Sequence, residues 1–183
     1  PSSAALLSSG APEPISAAAE GALAEAGLLP IAQKARDAIL AATPSLRGCL
    51  GTLPCQEELA KLLSAQYLLE LQLQGERVTL RLLDAEVGSW SVGREATCSG
   101  CSQDALAQRV LELSRDAVRE ALGRGHGTLQ ITAVPEADVV VDGRRVGRTP
   151  LLRAALSGAH SVALHATGYL PHRVPVEVED GKR

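Results

Sequence analysis

Residues Gln66–Trp90 read "QYLLELQLQGERVTLRLLDAEVGSW", and the fold class turns on this stretch. Leu69, Leu71 and Leu73 alternate with polar residues, Gly75 breaks the run, and Val78, Leu80 and Leu82 alternate again. A period of two on both sides of a turn glycine predicts a β-hairpin with one leucine-lined face. A second turn around Gly88 leads into "SWSVGREAT", a third strand of the same meander.

Helical periodicity surrounds the meander. "ISAAAEGALAEAG" predicts a helix after Pro14, with Ile15, Ala19, Ala22 and Ala26 on one face and Gly27 as its stop. "LLPIA" is a short apolar strand candidate, and "QKARDAILAAT" is a second helix ended by Pro44. "CQEELAKLLSA" predicts a third, with Glu57 and Glu58 in its first turn, where the helix dipole favours acid, and Leu59, Leu62 and Leu63 buried. "QDALAQRVLELSRDAVREAL" follows Ser102 as N-cap. Its stripe is Leu106, Val110, Leu113, Ala117 and Ala121, and it stops at Gly123. The expected order is helix, strand, helix, helix, three strands, long helix.

The chain has 183 residues, with 45% hydrophobic and 21% charged, which excludes wholesale disorder. With no Phe, no Met, one Trp and two Tyr, its core must be aliphatic and offers few platforms for stacking sugars or bases. Arg far outnumbers Lys, a habit of GC-rich bacterial genomes. The chain begins at Pro1 and contains no Met, so an upstream segment, a signal or an anchor, is expected to have been removed. No apolar run is long enough to span a bilayer. Charge is asymmetric: up to Leu122 there are 10 Lys+Arg against 15 Asp+Glu, and from Gly123 onward 8 against 6. All four histidines fall in the second part. The boundary is expected in the glycine-rich stretch 123–127, between domains 1–122 and 128–183.

Four cysteines form two close pairs, Cys49/Cys55 and Cys98/Cys101, the second within "TCSGCS". Three chemistries compete. A zinc site wants pairs separated by about two to four residues, often with histidine; the first pair is wider, and this part has no histidine. A redox C-x-x-C gains from its place before the long helix, whose N-terminus stabilises a thiolate, but it lacks basic or aromatic neighbours to tune it. Two local disulfides, Cys49–Cys55 and Cys98–Cys101, each pinning a loop to the start of a helix, are the plainest reading and imply an oxidising compartment. Spacing alone does not choose the pairing. No catalytic grouping is evident: Asp84 and Glu86 sit at a bend, and neither Ser89 nor Ser91 has a base.

At "KLLSAQYLLELQLQGERVTLRLLDAEVG", followed by a long closing helix, the first part resembles the small α/β domain at the start of TolB and in CsgG- and LpoB-type envelope proteins. The resemblance lies in pattern and order over about residues 5–122. It implies a non-catalytic domain that docks on other envelope proteins, and the cysteine pairs are no part of it.

The second part reads as all β. Leu129, Ile131 and Ala133 share a face; Val139 and Val141 lead to a tight-turn signal at Asp142-Gly143; Val146 lies in a returning strand; Val162 and Leu164 are buried; Val174, Val176 and Val178 alternate, with Pro175 marking an edge strand. "GTLQITAVP", "VVVDGRRVGRTPL", "SGAHSVAL" and "TGYLPH" in that order resemble the PEGA domain, the motif appearing as Pro135-Glu136-Ala137-Asp138 with Ala137 where the family has glycine. The resemblance implies a small β-sandwich that binds or spaces rather than catalyses. Its pattern usually continues past "VEVEDGKR", so a domain cut short at its C-terminus is expected.

Arg144, Arg145 and Arg148 flank the turn and form a candidate binding tip for phosphate or carboxylate, against the plainer reading of a solvated hairpin. Nucleic-acid readout is disfavoured by the acidic balance and the scarcity of stacking side chains. His160, His165 and His172 are read as solvated or satisfied. The expectation is therefore an α+β chain: a mixed sheet flanked by helices, then a small all-β sandwich. Its expected role is a non-enzymatic adaptor of the periplasm or cell surface, without cofactor or metal, whose partners are envelope proteins or a surface polymer. The alternative is a periplasmic thiol-disulfide oxidoreductase using Cys98 and Cys101.

Overall fold

The computed structural model describes residues 2–182, and contacts divide the chain into two units that meet at Gly123/Arg124. In the N-terminal unit the elements are β1 (Ser3–Ser9), α1 (Glu13–Glu25), β2 (Leu29–Pro30), α2 (Gln33–Ala42), a 3-10 turn (Pro44–Leu46), α3 (Leu53–Leu63), β3 (Tyr67–Gln74), β4 (Arg77–Asp84), β5 (Ser89–Thr97) and α4 (Gln103–Gly123). The sheet order is β2-β1-β3-β4-β5, with β1 parallel to both β2 and β3 and the remaining pairs antiparallel.

The chain thus opens with a strand that the expected order lacks. "SAALLSS" shows no alternation because both of its faces are covered, as in buried parallel strands. Ala4 and Leu6 join the layer beneath α1 and α4, while Ala5 and Leu7 join the layer beneath α3. The hairpin divides the same way. Leu69, Leu71, Val78, Leu80 and Leu82 meet Ile15, Ala19 and Leu23 of α1 and Val110, Ala117 and Ala121 of α4. Leu68 and Leu83 face Leu46, Leu59 and Leu63 on the other side. Each such leucine, once buried, contributes about 1.5–3 kcal/mol. Ser102 caps α4, its Oγ accepting from the Ala105 N–H at 3.2 Å.

Two expectations about α3 change. It begins at Leu53, so Glu57 and Glu58 fall beyond its first turn. Leu62 is exposed, and Gln56 and Ala60 complete the buried face instead. In α1, Leu23 takes the core position expected of Ala26, which lies exposed at the helix end.

The C-terminal unit contains β6 (His126–Ile131), β7 (Asp138–Val141), β8 (Arg144–Arg148), β9 (Leu151–Leu156), β10 (Gly158–His165) and β11 (His172–Val178). Strands β11-β10-β7-β8 form one sheet and β6-β9 the other. Leu129, Ala155 and Val178 centre a small core, with Ile131, Val141 and Val176 beside it. Pro175 lies on the edge strand β11. Among the described residues, no helix is long and apolar enough to cross a membrane.

The glycine-rich stretch 123–127 is not an open linker. Helix α4 runs through Gly123 and β6 begins at His126, leaving Arg124 and Gly125 between them. Residues 179–182 fold back over this start: the Thr128 N–H donates to Lys182 O at 2.7 Å, and the Gly181 N–H to His126 O at 2.8 Å. The glycines permit that approach. A Cβ on Gly127 would stand 2.5 Å from Glu179 O and 2.6 Å from Val178 Cγ1. Gly127→Ala should therefore lower the urea midpoint of the C-terminal unit by the equivalent of about 1–3 kcal/mol, the usual cost of overpacking. Gly48→Ala, where a Cβ meets nothing within 4 Å, should stay within about 0.5 kcal/mol. Equal tolerance of the two changes would restore the linker reading.

Candidate functional site

The arginine hairpin is built on its turn. Asp142 and Gly143 have φ values of 50° and 81°, a left-handed pair that matches the twist of adjoining strands. The Asp142 carboxylate also ties the turn to β10, with Oδ1 accepting from the Ser161 N–H at 2.8 Å and Oδ2 lying 2.6 Å from His160 Nδ1.

The three arginines do not gather at the tip. Arg144 stands beside the turn, half-buried, and Arg145 faces Val140; Arg148 lies at the far end of β8, opposite Asp138. A register shift between Val139 and Val140 brings Arg145 toward Asp138. Arg145 Nη2 donates to Asp138 Oδ1 at 2.6 Å, Arg148 Nε lies 3.5 Å from the same oxygen, and Arg148 Nη2 lies 3.8 Å from Glu136 Oε2. The acids of Pro135-Glu136-Ala137-Asp138 thus neutralise two of the arginines that follow them. Exposed pairs of this kind contribute about 0–1 kcal/mol each, so their main effect is on the local field. Ala137 is buried where the motif has glycine. Its N–H donates to Thr149 Oγ1 at 2.9 Å and its carbonyl accepts from the Thr149 N–H at 2.9 Å.

His160 is largely buried and satisfied at both nitrogens, Nδ1 by Asp142 and Nε2 by the Leu156 carbonyl at 2.8 Å. Two acceptors require two ring protons, which selects the imidazolium. Burial is the largest single influence and opposes the charge. The hydrogen bonds to Asp142 and Leu156, with the charges of Asp142 and Glu177, together outweigh it and raise the pKa above its ordinary 6.5. His165 and His172 come to one end of the sheet, His165 opposite Asp138 and His172 opposite Leu164.

Both cysteine pairs are disulfides, and no cysteine is free. Cys49–Cys55 joins the loop after the 3-10 turn to the first turn of α3, with Cys49 buried in the core. Beneath this loop lies a cluster that the sequence did not single out. Glu70, buried on β3, accepts from the Gly51 N–H at 3.0 Å, from Gln56 Nε2 at 2.5 Å and from Gln72 Nε2. Gln56 also donates to Cys49 O at 3.0 Å, so the disulfide loop and the buried carboxyl hold each other. The only available signal was a Glu and a Gln at core-facing positions of a strand and a helix.

Cys98–Cys101 joins the end of β5 to the residue before the N-cap of α4, and Cys101 is exposed. Glu76 stands against this loop, accepting from the Gly100 N–H at 2.9 Å. A hydrogen bond from the Ser99 side chain, then that from Gly100, holds its carboxyl below the usual range, so a negative charge stands against the loop between the two cysteines. Elsewhere, Asp84 Oδ1 accepts from the Glu86 and Val87 N–H groups and shapes the β4–β5 turn, while Ser91 Oγ donates to Leu82 O at 3.0 Å. Among the described residues, no three His, Cys, Asp or Glu side chains gather as a metal-binding group.

Residues 126–183 match the PEGA domain family. No curated protein matches the chain. The crystal structure of TolB from Acinetobacter baumannii is similar over 97% of this chain, at 15% identity and a TM-score of 0.44, and the chain spans 39% of that structure's length.

Because the folded-state pKa of His160 is raised, its stabilising contribution is complete below 6.5 and is lost as pH rises through the higher folded value. His160→Gln should therefore weaken the C-terminal unit more at about pH 5.5 than at about pH 9. Urea midpoints of both proteins at the two pH values check this, and a gap that does not shrink with rising pH would show the ring to be neutral in the fold.

Proposed function

We propose that this chain is a non-enzymatic binding module of the cell envelope, positioned in the periplasm or at the cell surface. In this reading the N-terminal unit docks on an envelope partner and the C-terminal unit serves as spacer or second contact. The match of residues 126–183 to the PEGA domain carries the proposal. The two disulfides support it, because such bonds persist in oxidising compartments. Asp84 and Ser91, two of the residues weighed for catalysis, are occupied in a turn and a strand contact, which suits a scaffold.

A thiol-disulfide oxidoreductase is the second reading, favoured by one observation: Cys98–Cys101 is an exposed C-x-x-C at the head of a long helix. Glu76 works against it, since a carboxylate held against the loop disfavours a thiolate. Wild-type protein should reduce insulin disulfides no faster than Cys98→Ser, and Cys98→Ser should retain partner capture from solubilised envelope. Thiol-dependent turnover lost in Cys98→Ser would overturn the adaptor reading.

The arginine hairpin offers a further check. With Arg145 and Arg148 already paired, changing Arg144, Arg145 and Arg148 together to Gln should cost no more than about 0.5 kcal/mol each. Partner binding should change little as salt rises, because no array of anions is being neutralised. Loss of binding in the triple variant, with a steep salt dependence in the wild type, would instead make the hairpin the recognition element.

A further inference from the structure

Strand registers show which loops of the C-terminal unit share an end. Ile131 lies opposite Leu151, Asp138 opposite both Arg148 and His165, and Leu164 opposite His172. Residues 132–137, the step from Arg148 to Leu151 and residues 166–171 therefore all emerge together. The chain enters at the other end, where His126 faces Leu156 and the Asp142-Gly143 turn lies.

All but one of the large hydrophobic side chains that the described part of this unit leaves exposed fall at the first end. Val134 is 102% exposed, Leu170 91% and Tyr169 65%, with Leu152 one residue in from the same end; Val174 lies mid-strand, level with Val141. Scattered exposed hydrophobics need no explanation, but four converging on one end from three segments do. Val134, Tyr169 and Leu170 stand out from loops, so their counterpart must yield around them, as the headgroup and upper acyl region of a bilayer does. A tyrosine next to a leucine suits that boundary, with its ring in the apolar layer and its hydroxyl in the wet one.

The charges complement an anionic surface. The acids nearest this end, Glu136 and Asp138, are engaged by Arg145 and Arg148. Arg173 follows the Tyr169–Leu170 loop and has no ion-pair partner among the described residues, while His165 and His172 bracket the same loop with further donors for phosphate oxygens. We propose that this end of the PEGA unit rests on an anionic phospholipid surface, with Tyr169, Leu170 and Val134 entering the interface and Arg173 meeting the headgroups. This deepens the adaptor reading by naming its second contact, and it can fail while partner capture by the N-terminal unit stands.

The test is flotation of the full chain with vesicles of phosphatidylglycerol and phosphatidylethanolamine, and with vesicles of phosphatidylcholine alone. The wild type should float with the anionic vesicles and only weakly with the neutral ones. Combining Tyr169→Ser with Leu170→Ser should lower the bound fraction by about tenfold or more, the scale of withdrawing one large apolar side chain from its layer. Arg173→Gln should abolish the preference for anionic vesicles, and Leu62→Ser, at an exposed leucine of the N-terminal unit, should change nothing. Urea midpoints establish that each variant is folded. Wild-type protein that stays unbound, or binding indifferent to Tyr169 and Leu170, overturns the proposal. So does a dimer in solution that the double change dissociates, because the apolar end would then be covered by a second copy.

Discussion

The parallel pairing of β1 with β3, six residues in register from Ala4–Tyr67 to Ser9–Gln72, is the interaction on which the N-terminal unit depends. It gives β3 a neighbour on the edge that β4 does not occupy, so the meander becomes the middle of a sheet rather than a free hairpin. A strand closed on both edges can then be covered on both faces. Helices α1 and α4 take one face and the 3-10 turn with α3 takes the other, and almost every side chain from Tyr67 to Leu71 is lost to water. The one carboxylate caught there, Glu70, persists because the Cys49–Cys55 loop and two glutamines turn donors toward it. Covalent closure of that loop and satisfaction of the buried acid are thus one structural device.

The C-terminal unit meets a different constraint. About 60 residues bury too little apolar surface to hold a sandwich on core packing alone with much to spare. Its loops are accordingly fastened by side chains that reach backbone groups of other segments: Asp142 to Ser161, Thr149 to Ala137, and Asp180 to the His126 N–H at 2.9 Å. These contacts are local and polar, and they fix loop geometry more than they add stability.

What was legible in the sequence follows from this division. The β3–β4–β5 meander, α4 with its Ser102 cap and the Asp142-Gly143 turn were readable because each has one wet face or a backbone demand that few residues meet. Strand β1 was not, because a strand buried on both faces shows no period. The glycines at 125 and 127 looked like slack but mark close packing, a distinction set by Asp180 and Glu179 more than fifty residues away. Arg148 left the hairpin tip for a similar reason: it was counted along the chain, whereas its position is decided across the ladder, opposite Asp138. Glu70, Gln56 and the His160–Asp142 contact are long-range pairings with no local signature.

The fold-back of residues 179–182 onto β6 brings the first and last strands of the C-terminal unit out at one place. A β-unit with adjoining ends behaves as a cassette. It can be spliced into a loop of another protein, or repeated along a chain, without threading through its host, because only a short gap has to be bridged. The opposite loops, residues 132–137 and 166–171, join strands within this unit. Changes in those loops can therefore accumulate without disturbing the join, and such a unit can diversify what it touches while its attachment stays the same.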